Sequence, residues 1–189
     1  MVVAPALGIS WIAAEGAGCW RIENGERRRL SSRRKPELPV FVVSQSHRNP
    51  ALARFLASAP KHEAVSRGSS LKFCLIAEGL ADLYPRTGPI SEWDSGAGQC
   101  VAEQAGAQVL RLPERTRLGY NEKASLINPL FAVIGKTREA ARRDWSQIDP
   151  SILGTLFERG LDPDEVDVEA ARDLRAARHH EDVVVREVV

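Results

Sequence analysis

The sequence predicts an α/β protein in which a mixed β-sheet is flanked by helices. Between residues 39 and 134, short apolar runs typical of buried strands alternate with helical patterns, and this alternation favours a sheet covered by helices. The first 30 residues instead contain short β-rich runs separated by turn residues, which predicts an antiparallel meander before the alternating part.

A change in composition divides the chain. From residue 136 the sequence becomes charged and helical in pattern, so we expect a domain over residues 1–135 and a charged, mostly helical extension over 136–189. His179 and His180 in this extension are adjacent rather than one helical turn apart, which argues against a metal site on a helix face.

The alternating part begins with a strand, a helix and a second strand. The apolar run at 39–43 is a buried-strand candidate, and residues 61–66 should form the returning strand. A helix over 49–58 is expected between them, because Asn49 is a good N-cap and Pro50 suits the first helical position.

The next helix is predicted to begin after the small residues 68–70. A serine at this position should cap the free N–H groups of the helix, and Gly79 should end it. Residues 81–84 then predict a short strand that closes at Pro85.

A third helix should begin at Asp94, which stands where an N-cap is expected. The small residues behind Asp94 allow a ligand or another backbone to approach closely. Beyond this helix we expect a strand at 106–110, a polar hairpin region at 113–121 and a last strand at 131–134.

Composition narrows the range of partners. The chain is 43% hydrophobic and 27% charged, which is typical of a globular protein, and its formal charge of +1 gives no global argument for nucleic acid or an anionic membrane. No apolar run reaches membrane-spanning length. Its three cysteines form no CxxC pair, which favours buried thiols in a reducing compartment, so a cytoplasmic protein is expected.

A basic cluster at residues 27–35 has two possible interpretations. It could attract phosphates or RNA, but no aromatic residues interleave with it and turn signals flank it, which favours a solvated hairpin tip and linker. Nucleic acid is therefore not expected as a partner. The cluster comprises Arg27, Arg28, Arg29, Arg33, Arg34 and Lys35.

The stretch from 68 to 98 suggests a phosphate site. A helix start can hold an anion, and the Asp94 carboxylate at a neighbouring helix start would suit Mg²⁺, which prefers oxygen ligands and often bridges carboxylates to a substrate phosphate. The alternative from spacing alone is a pair of capped helices with no ligand.

Several strings carry a resemblance to a known family. They occur in this order: VVAPALG near the start, AAEG-x-G-x-W at 13–20, VVSQSH at 42–47, GSSLKFCLIAEGLADLYPR at 68–86, WDSGAG at 93–98 and NPLFAVIG at 128–135. Residues 1–135 thereby resemble the C-terminal part of the CysQ-type 3'(2'),5'-bisphosphate nucleotidases of the inositol monophosphatase superfamily. The resemblance implies the C-terminal half of their layered αβαβα sugar-phosphatase fold.

The resemblance also implies an activity and a set of contacts. The activity is Mg²⁺-dependent removal of the 3'-phosphate from adenosine 3',5'-bisphosphate, giving AMP, with related small phosphoesters as other substrates. Asp94 is implied as a metal ligand that also approaches the scissile phosphate, and no residue of this chain is implied as the catalytic nucleophile or base. The implied substrate contacts are Ser44, His47, Gly68, Ser69, Lys72, Arg86 and Asp94.

Each contact has a simpler interpretation from the residues alone. His47 could be a capping or solvent-facing loop residue, and Lys72 an exposed helix residue. Arg86 could be a loop arginine paired with Glu92.

The family's principal metal ligands do not occur in the matching region. They are an acidic helix residue and an Asp-Pro-x-Asp-Gly loop, whereas the nearest strings here, 149–150 and 162–164, lie beyond residue 135 and lack the glycine. With Asp94 alone, weak Mg²⁺ affinity is expected. We expect an incomplete nucleotidase or a non-catalytic nucleotide-binding module. We also expect exposed apolar edges and faces, and therefore either aggregation or dependence on a partner chain that supplies the other half.

Residues 144–163 resemble a helical segment upstream of the catalytic domain in large DNA methyltransferases of restriction systems. No Asn-Pro-Pro-Tyr string occurs in the chain, so methylation is not inferred. The segment could be an amphipathic helix appended to the domain, a fusion or frameshift scar, or an accessory element of a DNA-modification system joined to a phosphatase remnant.

Overall fold

The computed structural model describes residues 1–44, 49–136 and the backbone of 185–186. Two sheets and three helices make up this part of the chain. The first sheet contains β1 (Val2–Ala4), β2 (Ile9–Ala14), β3 (Gly18–Glu23) and β4 (Glu26–Arg29). The remaining elements are β5 (Val40–Ser44), α1 (Pro50–Ser58), β6 (Glu63–Arg67), α2 (Leu71–Ala77), β7 (Leu83–Arg86), α3 (Gly96–Gln104), β8 (Gln108–Arg111), β9 (Phe131–Ile134) and β10 (Val185–Arg186).

The first sheet is the predicted antiparallel meander. Its strands lie in the order β1-β2-β3-β4, each antiparallel to the next. One face buries Trp11 and Cys19 against α2 and α3. The meander prediction is confirmed.

The second sheet is mixed, as the alternation predicted. Its order is β10-β6-β5-β7-β9-β8. β5 runs parallel to both β6 and β7, whereas β9 runs antiparallel to β7 and β8. The prediction of a mixed sheet with flanking helices is confirmed.

Helices α2 and α3 lie between the two sheets. Cys74 and Val101 face the meander, while Phe73 and Ala102 face the mixed sheet, and α1 covers the opposite face of the mixed sheet through Phe55. The described domain is therefore layered as sheet, helices, sheet, helix, with a close-packed core on each side of the mixed sheet.

Gly98 permits the close contact between α2 and α3. A Cβ atom at this position would lie 2.6 Å from the Phe73 ring, so a larger residue would force the two helices apart. The small residues after Asp94 thus include one that admits a neighbouring helix.

Helix ends agree with the sequence in part. Asn49 caps α1, since its side chain accepts from the Leu52 N–H at 2.8 Å, and Gly79 follows α2 in the left-handed region with φ 70°. Ser70, in contrast, does not cap α2, and Asp94 does not cap α3; Ser95 takes that position without a side-chain cap. Both predicted caps were wrong. An N-cap residue normally has extended backbone, whereas Ser70 has helical backbone angles and Asp94 belongs to a 3-10 turn.

The strand predicted at 81–84 needs correction at both ends. β7 begins at Leu83 and passes through Pro85 to Arg86. It pairs with β5 at Leu83, so Pro85 lies beyond that parallel ladder, where its missing N–H removes no bond to β5.

The first half of the basic cluster is exposed to solvent, as predicted, but lies on a strand rather than at a hairpin tip. Arg27, Arg28 and Arg29 form the edge strand β4, and the guanidinium carbons of Arg27 and Arg29 lie 4.1 and 5.7 Å from the Trp20 ring centroid. No aromatic residue lies within the cluster in sequence. The aromatic partner comes from the neighbouring strand, where Trp20 lies opposite Arg29.

The remaining predictions for the C-terminal part lie largely outside the described residues. These include most of the 136–189 extension and the whole methyltransferase-like stretch 144–163. Residues 185–186 form β10, which runs parallel to β6. Among the described helices, none has the length and apolar character needed to cross a bilayer.

Candidate functional site

Three of the parallel strands end at one edge of the mixed sheet. β5, β6 and β7 run in the same direction and end at Ser44, Arg67 and Arg86. The carboxyl edge of such strands is where ligands bind in open α/β sheets, because loops and helix starts meet there.

A cavity of about 380 Å³ opens at this edge. Six of the seven predicted contacts line it: Ser44, Gly68, Ser69, Lys72, Arg86 and Asp94. His47 lies in the segment 45–48, outside the described residues. Sequence reasoning did not identify the other lining residues, which are Ser70, Pro89, Ile90, Ser91 and Ile127.

Lys72 is a buried cation. Only 4% of the residue is exposed, and its Nζ donates to the carbonyl oxygen of Ser69 at 2.8 Å and to that of Arg67 at 3.4 Å. The Nζ also lies 5.1 Å from the Tyr84 ring centroid. Burial, and then the charge of Arg86, lowers the pKa of Lys72 to about 8. An exposed helix lysine is therefore excluded.

Arg86 is the second cation of the cavity, and it is 7% exposed. Its Nε donates to the Gly88 carbonyl at 3.0 Å and its Nη2 to the Pro89 carbonyl at 2.5 Å, so the guanidinium folds over its own loop. The alternative pairing with Glu92 is wrong, because Glu92 binds Lys123 instead, at 3.0 Å.

The loop before α2 has an unusual backbone. Ser69 adopts φ 53°, in the left-handed region that is costly for residues other than glycine. In this conformation its carbonyl accepts from Lys72. The loop thus holds the ammonium at the cavity wall.

Asp94 lies across the cavity at the end of a short 3-10 turn, Glu92–Asp94. The residue is exposed, and its carbonyl oxygen accepts from the Ser70 hydroxyl at 3.1 Å. Ser70 therefore joins the start of α2 to the Asp94 turn rather than capping its own helix.

Glu92 does not contribute to this cavity. Its carboxylate accepts from the Asn121 N–H at 2.8 Å and from Lys123, and these two contacts hold its pKa below the usual range. It lines a second cavity of about 380 Å³, together with Arg111, Glu122 and Lys123.

The described lining residues could supply one metal ligand, which is too few for a complete metal site. Asp94 is the only carboxylate among the described lining residues of the first cavity. Within the described part of the chain, no group of three or more His, Cys, Asp or Glu residues could hold a metal ion. Further ligands would have to come from outside the described residues.

The three cysteines are free thiols. Cys19 and Cys74 are buried and Cys100 is partly buried. Burial raises the pKa of Cys19 to about 11 and that of Cys74 further, so neither is a nucleophile at neutral pH. The prediction of unpaired, buried thiols is confirmed for Cys19 and Cys74.

Sequence comparison connects this chain with phosphatases. Residues 1–146 match the inositol monophosphatase family. Over 133 residues the chain is 44% identical to the 3'(2'),5'-bisphosphate nucleotidase CysQ of Salmonella typhimurium, and the match covers 70% of this chain and 53% of that protein. The chain thus spans about half the length of such relatives.

Structural comparison gives the same result. CysQ from Bacteroides thetaiotaomicron, a bacterial member of the inositol monophosphatase family, superposes with a TM-score of 0.64 at 32% identity, over 70% of this chain and 55% of that one. A calcium-bound family protein from Staphylococcus aureus superposes with a TM-score of 0.55 at 18% identity, over 79% and 52% of the two chains, which shows a shared fold.

Proposed function

The chain belongs to the inositol monophosphatase family, and from this premise we propose that its cavity binds the phosphates of adenosine 3',5'-bisphosphate or a related small phosphoester. The observation that carries the proposal is the pair of buried cations, Lys72 and Arg86, on the wall of one cavity that also holds Asp94. The proposed reaction class is that of a 3'(2'),5'-bisphosphate nucleotidase, giving AMP and phosphate.

The two cations have complementary roles in this proposal. Two carbonyls and a ring fix the Lys72 ammonium, so its remaining N–H group can be directed at a phosphate oxygen as a point charge. Arg86 keeps further N–H groups in a planar fork that matches phosphate geometry. Ser44 and the 68–70 loop provide short polar groups between them.

The apolar part of the lining supports a nucleotide over inorganic phosphate. Pro89, Ile90 and Ile127 lie on the same cavity, and Ile127 is 45% exposed. A ligand with an apolar ring beside its phosphates would cover this surface while its phosphates meet the cations.

We assign Asp94 as one ligand of the divalent cation, with Mg²⁺ as the proposed ion. Family members are generally metal-dependent. A bound cation would neutralise phosphate oxygens. Because the described residues supply one carboxylate, we expect this chain by itself to bind the nucleotide and to turn it over slowly, unless a partner chain supplies further ligands. The free thiols agree with a reducing compartment, and we propose the cytoplasm.

The test combines turnover with binding on the full chain. Phosphate release from adenosine 3',5'-bisphosphate is measured with and without Mg²⁺, and the Kd is measured by calorimetry on the same samples. Asp94→Ala should abolish any Mg²⁺-dependent release, whereas the control Glu26→Ala, at an exposed carboxylate of β4, should leave release unchanged. A folded chain that neither binds nor hydrolyses the nucleotide would refute the proposal.

A non-catalytic binding module is the second candidate, and the single described carboxylate is the observation that favours it. In this alternative the module is joined to a helical element of a DNA-modification protein, and that element lies outside the described residues. Binding of the nucleotide without release, in the presence of Mg²⁺, would establish this second function.

A further inference from the structure

The position of the Asp94 carboxylate depends on its backbone. Asp94 is exposed, and no hydrogen bond or ion pair joins its carboxylate to another described residue. Its N–H donates to the Ser91 carbonyl at 3.1 Å, so the side chain projects from a tight turn. Whatever holds this turn determines where the carboxylate meets the cavity.

Asn128 holds both ends of the turn. The residue is 6% exposed, and its Nδ2 donates to the Ser91 carbonyl at 3.1 Å and to the Ser95 hydroxyl at 2.7 Å. Its backbone N–H donates to the Ile90 carbonyl at 2.8 Å. Ser91 and Ser95 flank the Glu92–Asp94 turn, so one buried amide connects the residues before and after Asp94.

Ser95 extends this connection into the turn and the helix. It is fully buried at 0% exposure, and its hydroxyl donates to the Glu92 carbonyl at 3.1 Å while accepting from Asn128. Its carbonyl accepts from the Gln99 N–H at 2.7 Å. The Asn128 side chain must donate twice, which a carboxylate of the same shape cannot do.

We propose that Asn128 is a positioning residue, whose buried amide holds the turn at residues 91–95 and thereby directs the Asp94 carboxylate into the cavity. The role of Asp94 toward the cation and the phosphoester rests on the proposed function. A matched control lies at the other end of α3, away from the cavity. There the buried Ser32 hydroxyl donates to the Ala105 carbonyl at 3.1 Å.

The experiment compares Asn128→Asp with Ser32→Ala in the full chain. Asn128→Asp keeps the shape but removes both donors, and Ser95→Ala serves as a milder second variant if the first does not fold. Two quantities are measured: hydrogen exchange of the Asp94 and Ser95 amides by NMR, and the Kd for adenosine 3',5'-bisphosphate with and without Mg²⁺.

For Asn128→Asp, we expect hydrogen exchange at the Asp94 and Ser95 amides to become about tenfold faster. The Mg²⁺-dependent gain in nucleotide affinity should fall roughly tenfold, as it should for Asp94→Asn. Nucleotide affinity in the absence of metal should be retained. Ser32→Ala should change neither quantity. Unchanged exchange at Asp94 and Ser95 in both turn variants would overturn the inference. If the wild-type chain does not bind the nucleotide, the proposed function fails, and the exchange measurement still decides whether Asn128 holds the turn.

Discussion

Helix α2 has a buried positive charge at its start and a partly buried negative charge at its end, and the two have different surroundings. The Lys72 ammonium has two backbone carbonyls as partners, and the nearby charge of Arg86 has the same sign. The Glu78 carboxylate accepts from the Trp11 indole at 2.7 Å and from Arg28 at 3.2 Å. Glu78 is therefore neutralised within the fold, whereas no carboxylate of the described residues neutralises Lys72.

This difference distinguishes a structural ion pair from a binding site. A carboxylate at a helix C-terminus is unfavourable for the helix dipole, and the contacts from the meander compensate for it, so Glu78 fastens α2 to the first sheet. Two buried cations with no buried anion among the described lining residues raise the energy of the empty cavity, and an anionic ligand would lower it. The two ends of α2 should therefore respond differently to substitution.

The largest effect is expected at the start of the helix. Lys72→Met keeps the length of the side chain and removes the charge, so the Kd for adenosine 3',5'-bisphosphate should rise nearly 100-fold, or about 2.5 kcal/mol. The unfolding free energy should not fall, because a buried charge has been removed. Calorimetry and urea unfolding measure the two quantities, and unchanged affinity would contradict the assignment of Lys72.

The converse result is expected at the end of the helix. Glu78→Gln leaves Trp11 and Arg28 without a charged acceptor, so the unfolding free energy should fall by about 2 kcal/mol while nucleotide affinity stays unchanged. Urea unfolding followed by circular dichroism provides the measurement. A loss of affinity with intact stability would show that the two ends are not separable.

The third effect is a pH dependence at Lys72. Its pKa in the folded protein is about 8, below the ordinary 10.5, so the free site loses its ammonium charge above pH 8. Affinity for the nucleotide should fall by up to about tenfold per pH unit above 8, and binding there should take up protons. Calorimetry at pH 8.5 in two buffers of different ionisation enthalpy measures this uptake.

The same shift makes an independent prediction for stability. Between pH 8 and 10.5 the unfolded chain holds the Lys72 proton more often than the folded one, so this residue's contribution to the unfolding free energy should increase with pH in that window. Lys72→Met should remove both this increase and the proton uptake. A pH-independent difference between the two proteins would contradict the buried position of Lys72.

The smallest effect is expected from an exposed partner of Glu78. The Arg28 side chain is 59% exposed and 3.2 Å from the carboxylate, so Arg28→Gln should lower the unfolding free energy by only about 0.5 kcal/mol. The loss should diminish in 1 M NaCl, because salt screens exposed pairs. A loss as large as that of Glu78→Gln would show that Arg28, rather than the Trp11 indole, is the principal partner.

Local patterns predicted most of the described elements. The cap at Asn49, the left-handed Gly79 and the apolar run of β9 are recognisable from neighbouring residues, and all three lie where they were expected. The wrong predictions concern polar residues with more than one available partner. Ser70 and Asp94 could have capped helices, but the Ser70 hydroxyl instead donates to the Asp94 carbonyl and joins the start of α2 to the Asp94 turn.

The candidate site was predictable in its composition and less so in its arrangement. Family resemblance selected six residues that line one cavity, whereas spacing alone favoured an exposed Lys72 and an Arg86–Glu92 pair. Asn128 had no local signal beyond its place in the string NPLFAVIG, because its partner Ser95 lies 33 positions away in the sequence.

The sequence by itself determined the order of strands and helices, the glycine and proline positions that end them, and the family to which the chain belongs. Only the tertiary structure decided which charges are buried and which are neutralised. Lys72 became a buried cation, Glu92 bound Lys123 and Glu78 bound Trp11. The physical reason is the distance in sequence over which each interaction acts. Caps and periodic patterns involve neighbouring residues, whereas burial and ion pairing depend on groups that approach only when the sheets pack on α2 and α3.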